Sequence, residues 1–436
     1  MNKQLRHISK WEDTRVRLIC IPIFGCGDDA FMLVKDYPGR GYERVLYLPY
    51  AEYLVMNDRF EDAQKAYQDA GSPENSMKML QQLTFNAVVE HRFVDASYFY
   101  HLLANENWKE YDKYRRLSHL YYAYSSIYEY VDEPFTQLVP ESLFNVARYL
   151  LNETGGKKQP YGLSLVSVLY TLATHSKSLK AYKLARYTLG KLQQFILPRA
   201  WQDQIDLSVI TIHSKPFSDN ADLTSTCYRC GSTNPLINPE NGGGDHCTNC
   251  KHPWIRSFTN FEILPLVEFE PEVDDRVAGS LLSVANTTSS NSTKSRRKKK
   301  FGDDVEESKD SKHDDDDDDD EDEDETAKDF ERLLSKHAYH AENKYEPVVV
   351  SKELLKKMDS RHIFVVKTHT KRRHQQRNRY FRHMAPKDVN ISMCPNCYTF
   401  FQQDEYEFLY LEKGHCPVCR KKDPSMQQQK VGGEGE

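Results

Sequence analysis

The chain has 436 residues, and its 59 basic and 65 acidic side chains give a net charge of only -6, a mean that conceals opposed charge blocks. That length holds more than one domain. No apolar run is long enough to span a bilayer, and Met1 to His7 lack the apolar core of a secretory leader, so the reading is a soluble intracellular protein with reduced thiols.

Residues 1–26 are atypical. Val16 to Cys26 is a short β-branched run where a helix would be needed, and Cys20 and Cys26 read as ordinary small apolar thiols. From 27 to 200 the sequence reads as helix after helix. Asp29-Ala30, Asp62-Ala63 and Asp95-Ala96 recur every 33 residues, and the last two copies extend to Arg59-Phe60 and Arg92-Phe93 before them and Tyr67 and Tyr100 after them. This period is close to a tetratricopeptide-type helical pair, in which a small alanine lets neighbouring helices approach. The fold class expected is therefore mainly α, an α-solenoid of tetratricopeptide-like pairs followed by two small β zinc ribbons. The array reads as if cut through its first unit. Further helices are predicted at Lys109 to Tyr130, Pro140 to Asn152, Gly162 to Thr174 and Lys177 to Ile196. The stripe Tyr114, Leu117, Tyr121 and Tyr128 is read as a core face.

A polar linker is expected over 201–224, and the first zinc ribbon over 225–271. Cys227, Cys230, Cys247 and Cys250 follow C-x2-C-x16-C-x2-C, the spacing that brings four thiolates around one zinc from two knuckles on hairpin arms. His246 and His252 flank ligands but are not needed to complete the set. The apolar run from Trp254 to Phe269 is too greasy for a free-standing ribbon and should pack on the solenoid end or on the second ribbon. From 272 to 345 the composition turns to Ser, Asn, Lys and Asp, with the basic cluster Arg296 to Lys300 and the acidic tract Asp314 to Glu325, and a disordered charged linker is predicted.

Residues 346–390 should form a strand, a short helix, a second strand and a basic connector from Lys371 to Arg382. The second ribbon, 391–422, carries Cys394, Cys397, Cys416 and Cys419 as C-x2-C-x18-C-x2-C, with aromatic hairpin arms between the knuckles, and 423–436 is read as a disordered tail. Eight of the ten cysteines thus serve two structural zinc sites. No triad spacing, glycine-rich phosphate loop or paired metal-binding histidines occur, so no catalytic residue is assigned.

Leu48-Pro49-Tyr50-Ala51, Asn57 to Ala66, the first quartet running into Leu266-Val267-Glu268-Phe269, and Pro347 to Ser351 leading to Met393-Cys394-Pro395 resemble the C-terminal part of the intraflagellar transport protein 122 family. The resemblance covers most of 27–271 and 345–420. It implies a non-enzymatic scaffold subunit of intraflagellar transport complex A, acting in retrograde intraciliary transport, cilium assembly and protein localisation to cilia. It further implies other complex A subunits and ciliary cargo adaptors as partners, no membrane insertion, and a location in the cilium, the ciliary basal body and the cytoplasm. The family's two N-terminal WD-repeat propellers have no counterpart in this sequence. Two other readings compete: a RING-like ubiquitin ligase, suggested by Cys416-Pro417-Val418-Cys419, and a nucleic-acid-binding zinc-ribbon protein, suggested by basic residues interleaved with Tyr380 and Phe381. The first suffers from the distance between the quartets, because a RING interleaves its ligands within one module.

Overall fold

The computed structural model describes residues 42–133, 139–155, 158–236, 245–282, 325–336, 345–369 and 376–423. The expectations placed on residues 1–41, on Arg296 to Lys300, on Asp314 to Asp324, on Lys371 to Gln375 and on the tail from Pro424 lie outside these residues. The chain divides into two compact units: Met1–Thr136 with Gln159–Leu165, and Gln137–Lys158 with Val166–Glu436.

The first unit is helical: α1 (Tyr42–Met56), α2 (Phe60–Asp69), α3 (Pro73–Val89), α4 (Phe93–Glu106) and α5 (Tyr111–Asp132), each packed on the next. The 33-residue repeat is visible in the turns. Asp58 and His91 adopt φ of 58° and 61°, and the following Arg59 and Arg92 amides donate to Leu54 O and Ala87 O at 2.9 and 2.8 Å. A left-handed residue with a backward amide bond closes one helix and launches the next. Ala63 and Ala96, one turn into the launched helices, are fully buried. The tyrosine stripe is core: Tyr121 is 1% exposed, and its ring lies 5.2 Å from that of Tyr100. Gly162, at φ 78°, sits where a β-carbon would fall 2.4 Å from Val88 Cγ1, so no side chain fits there.

The second unit opens with α6 (Pro140–Thr154), α7 (Leu165–Ser178, all but its first residue), α8 (Tyr182–Leu192) and α9 (Arg199–His213). Two expectations change here. The single helix from Lys177 to Ile196 is broken at Lys180, whose φ of 62° repeats the Asp58 and His91 turn, with Ala181 N donating to Ser176 O at 2.8 Å. No glycine marks the break. The linker expected over 201–224 begins inside α9, which buries Ile205 and Ile212, seven residues apart, and stacks Trp201 on Tyr170 at 4.2 Å. Its polar composition belongs to the other faces of an amphipathic helix.

After the first cysteine module, β3 (Leu266–Pro271) enters a four-stranded sheet of order β4-β3-β6-β5, with β4 (Val348–Val350), β5 (Ile363–His369) and β6 (Gln376–His383). β3 runs parallel to β4 and antiparallel to β6. Alternation along β3 sends Val267 and Phe269 to one face and Leu266 to the other. The first face is covered by a helix at 275–282 and by α11 (Glu325–Lys336), counting the former as α10, together with α12 (Lys352–Lys357). This corrects the disordered linker of 272–345 at both of its ends. Phe330 is fully buried and Leu334 is 4% exposed, because a heavily charged composition still carries an apolar helix face at Phe330, Leu333 and Leu334. The basic connector is corrected as well: part of it is β6, where Arg379 pairs with Glu268 and Arg382 stacks on Phe330 at 5.0 Å. The other sheet face meets the second cysteine module. Among the described residues no helix is long and apolar enough to cross a membrane.

Candidate metal centres

The structure gathers all eight predicted cysteines into two groups of four, with the sulfurs of each group within 4.8 Å of one another. Each group joins consecutive pairs of one module, the first with the second and the third with the fourth, so the pairs do not alternate between two sites as those of a RING do.

In the first centre, β1 (Ser225–Thr226) and β2 (Thr233–Asn234) form the ladder whose turn carries Cys227 and Cys230. Cys227 N donates to Ser232 O at 3.0 Å, and Gly231, at φ 67°, returns its amide to Cys227 O at 2.8 Å. The second turn, between His246 and Pro253, repeats this with Cys247 N on His252 O at 2.9 Å. Sulfur separations are 3.6 Å for Cys227 and Cys250 and 3.7 Å for Cys230 and Cys247. Tetrahedral sulfur at a zinc distance of about 2.3 Å would give sulfur pairs about 3.8 Å apart, so the donor set fits the ion. Ser232 Oγ lies 2.9 Å from Cys230 Sγ, placed to donate to a thiolate. Asn234 Oδ1 accepts from Thr248 N at 2.7 Å and ties the knuckles together. Neither polar partner is predictable from cysteine spacing. His252 is no ligand here: its Nε2 accepts from Glu268 N at 3.3 Å, and burial depresses the ring to about 4, which keeps it neutral.

In the second centre, β7 (Ile391–Met393) and β8 (Phe400–Gln402) flank Cys394 and Cys397, but the expected return arm of a hairpin is instead α13 (Gln403–Lys413). The aromatics there follow helical spacing: Tyr406 and Tyr410 are buried, while Phe408 is exposed. Gly414, at φ 73°, ends the helix and turns the chain toward Cys416. Tyr406 Oη donates to Asp423 Oδ2 at 3.1 Å, and Asp423 N donates to Tyr410 Oη at 3.0 Å, fastening the chain beyond the last knuckle. Cys394 and Cys419, like Cys397 and Cys416, are 3.8 Å apart.

Thiols this close share protons. A hydrogen bond with Cys247 pushes Cys227 up to about 12, while bonds from Cys227 and Cys250 hold Cys247 far below the usual thiol range. Cys394 is likewise held down by Cys397, Cys416 and Cys419. Such a set exchanges its shared protons for a divalent cation, and four sulfur ligands leave no open position for a reacting water.

A fifth turn has the knuckle shape without cysteines. Ser257 N donates to Glu262 O at 2.9 Å, Phe261 takes φ 55°, and Arg256 bridges Ile263. Ser257 and Asn260 stand where the two cysteines would be. Their side chains bond the second module instead: Ser257 Oγ accepts from Gln402 N at 3.2 Å, and Asn260 Nδ2 donates to Glu405 Oε1 at 2.8 Å. The run after Cys250 therefore packs on the second module, as expected, and also on α6 through Phe261 and Tyr149, whose rings are 4.9 Å apart.

Family models match three segments: "IFT122, TPR domain" over residues 24–167, "IFT122, zinc ribbon domain" over 220–267 and "IFT122, C-terminal zinc ribbon domain" over 389–425. Among curated proteins, the intraflagellar transport protein 122 homolog of Danio rerio is 38% identical over 90% of this chain and 33% of its own length. Those of Mus musculus and Homo sapiens are 36% identical over 91% of this chain and 33% and 32% of theirs. The chain spans about a third of the length of the curated relatives it matches.

Proposed function

Because this chain belongs to the IFT122 family through its tetratricopeptide and two zinc-ribbon domains, we propose that it acts as a non-enzymatic scaffold within intraflagellar transport complex A. Its work would be retrograde intraciliary transport, cilium assembly and protein localisation to cilia, in the cilium, at the basal body and in the cytoplasm. Cys227, Cys230, Cys247 and Cys250 would hold one zinc, and Cys394, Cys397, Cys416 and Cys419 the other. When bound, the metal supplies a cross-link and no Lewis-acid site, because every coordination position is a protein sulfur. The observation that carries the scaffold reading is the union of two closed modules by one sheet: strands after the first and before the second pair residue for residue from Leu266 with His383 to Phe269 with Tyr380.

Co-expression with complex A subunits tests the reading. Stoichiometric co-purification of the chain with one or more subunits is expected, as is loss of retrograde transport when the protein is removed from ciliated cells by gene deletion. Normal assembly and normal transport after that deletion would overturn it.

A further inference from the structure

Within the second unit, α6 and the first zinc ribbon enclose a cleft of about 530 Å³. At its wall lies Arg148, 4% exposed. A guanidinium has five donors in a fixed fork, and buried forks are ordinarily matched by a carboxylate. Here Nη2 reaches Ser225 Oγ at 3.2 Å, Nη1 reaches Leu223 O only at 3.5 Å, and Nε has no partner among the described residues. The nearby acid is already used: Asp245 accepts from Arg256 Nε and Nη2 and from Asn152 Nδ2. Burial, helped by the charge of Arg256, lowers Arg148 to about 10, the direction expected of a cation lacking its counterion.

The rim has the opposite sign. Glu141, Asp222 and Glu262 line the cleft and are exposed. Three acids at the mouth repel a dianion such as phosphate, while a single carboxylate flanked by cations satisfies both layers. We propose that this cleft binds a peptide segment whose carboxylate side chain seats on Arg148 and whose neighbouring lysine or arginine faces Glu141, Asp222 and Glu262. The scaffold reading enters only in taking the ligand to be protein. The cleft is an open groove of the size that holds a few side chains, and a forked Arg–carboxylate pair supplies the specificity.

The test uses the zinc-loaded full chain and rhodamine-labelled, end-capped pentapeptides with a Lys-Glu-Lys core and randomised ends, against a Lys-Gln-Lys set, read by fluorescence anisotropy. The glutamate set should bind at least about tenfold tighter, and Arg148→Met should erase that difference with both zincs retained. Should Arg148→Met misfold, Glu141→Gln with Glu262→Gln provides a second reading. It should weaken the Lys-Glu-Lys set and leave a Gly-Glu-Gly set unchanged. Equal affinity for glutamate and glutamine peptides, or binding of neither, overturns the proposal and leaves water as the partner of Arg148. That outcome leaves complex A assembly untouched, so the two readings fail separately.

Discussion

Glu268 and Arg379, 111 residues apart in sequence, meet through both carboxylate oxygens, Arg379 Nε donating to Oε1 at 2.7 Å and Nη2 to Oε2 at 2.9 Å. The Glu268 side chain is 7% exposed and that of Arg379 is 39% exposed. Removing one partner is therefore unequal to removing the other. Arg379→Met strands a buried carboxylate that, among the described residues, keeps Tyr345 as its side-chain donor, and should cost about 3 kcal/mol in urea unfolding. Glu268→Gln leaves an arginine that can turn to water and should cost about 1 kcal/mol. Burial pushes the Glu268 carboxyl up, but Arg379 and Tyr345 outweigh it and hold it below the usual range. This contribution is present above the unfolded carboxylate value and is lost as pH falls through the folded one.

How much of this was legible in the sequence depends on distance along the chain. The grouping of the cysteines into two quartets was, because each pair sits in one turn and each quartet in one module, so spacing alone specifies it. The Glu268–Arg379 pair was not: no local pattern says which strand crosses the charged insertion to meet which. Phe330 was hidden for another reason, since composition averaged over 272–345 drowns three apolar residues on one helix face. The break at Lys180 escaped because its left-handed residue is a lysine, whereas turn reading looks for glycine.

Phe330 gives the second prediction. Its ring is fully buried, edge-on to Phe269 at 6.0 Å and under the Arg382 guanidinium. Phe330→Ala should cost about 3 kcal/mol and detach α11 from the sheet. Limited proteolysis should then cut within Glu325–Lys336 while zinc content stays unchanged. A protease-resistant α11 in the variant would refute this packing.

His383 sets an acid limb. It is 6% exposed, its Nε2 has no partner among the described residues, and burial, with His362 adding to it, lowers it to about 4. The folded state thus holds the ring neutral while the unfolded chain takes a proton near pH 6.5. Stability should be full above that value and fall as pH drops toward about 4, by up to about 3 kcal/mol. His383→Gln should flatten this limb between pH 6.5 and 4, measured by urea midpoints across the range. An unchanged slope would assign the limb to other groups.

The cysteine-free knuckle should matter for docking and not for metal. Asn260→Ala removes bonds to Gln402 and Glu405 and leaves the half-buried Glu405 with fewer donors. A loss of about 1–2 kcal/mol is expected, with faster amide exchange in Phe400–Gln402 and no change in zinc. A matching loss of metal would mean that this turn supports the second centre directly.

Metal content is the sharpest measurement. Because the two quartets are separate and closed, the folded chain should retain about two zinc ions after mild chelation, and Cys230→Ala or Cys419→Ala should each reduce this to about one. Thiolate ligation predicts release in acid, when protons recapture the sulfurs, with both ions held at neutral pH. Loss from the first centre should also loosen its seat on α6, where Glu153 Oε1 accepts from Asp245 N at 3.0 Å. Loss from the second should free α13 and the Tyr406–Asp423 bond. A single substitution that emptied both sites would instead make the two modules one cooperative unit, joined through the β3–β6 pairing and the Asn260 contacts.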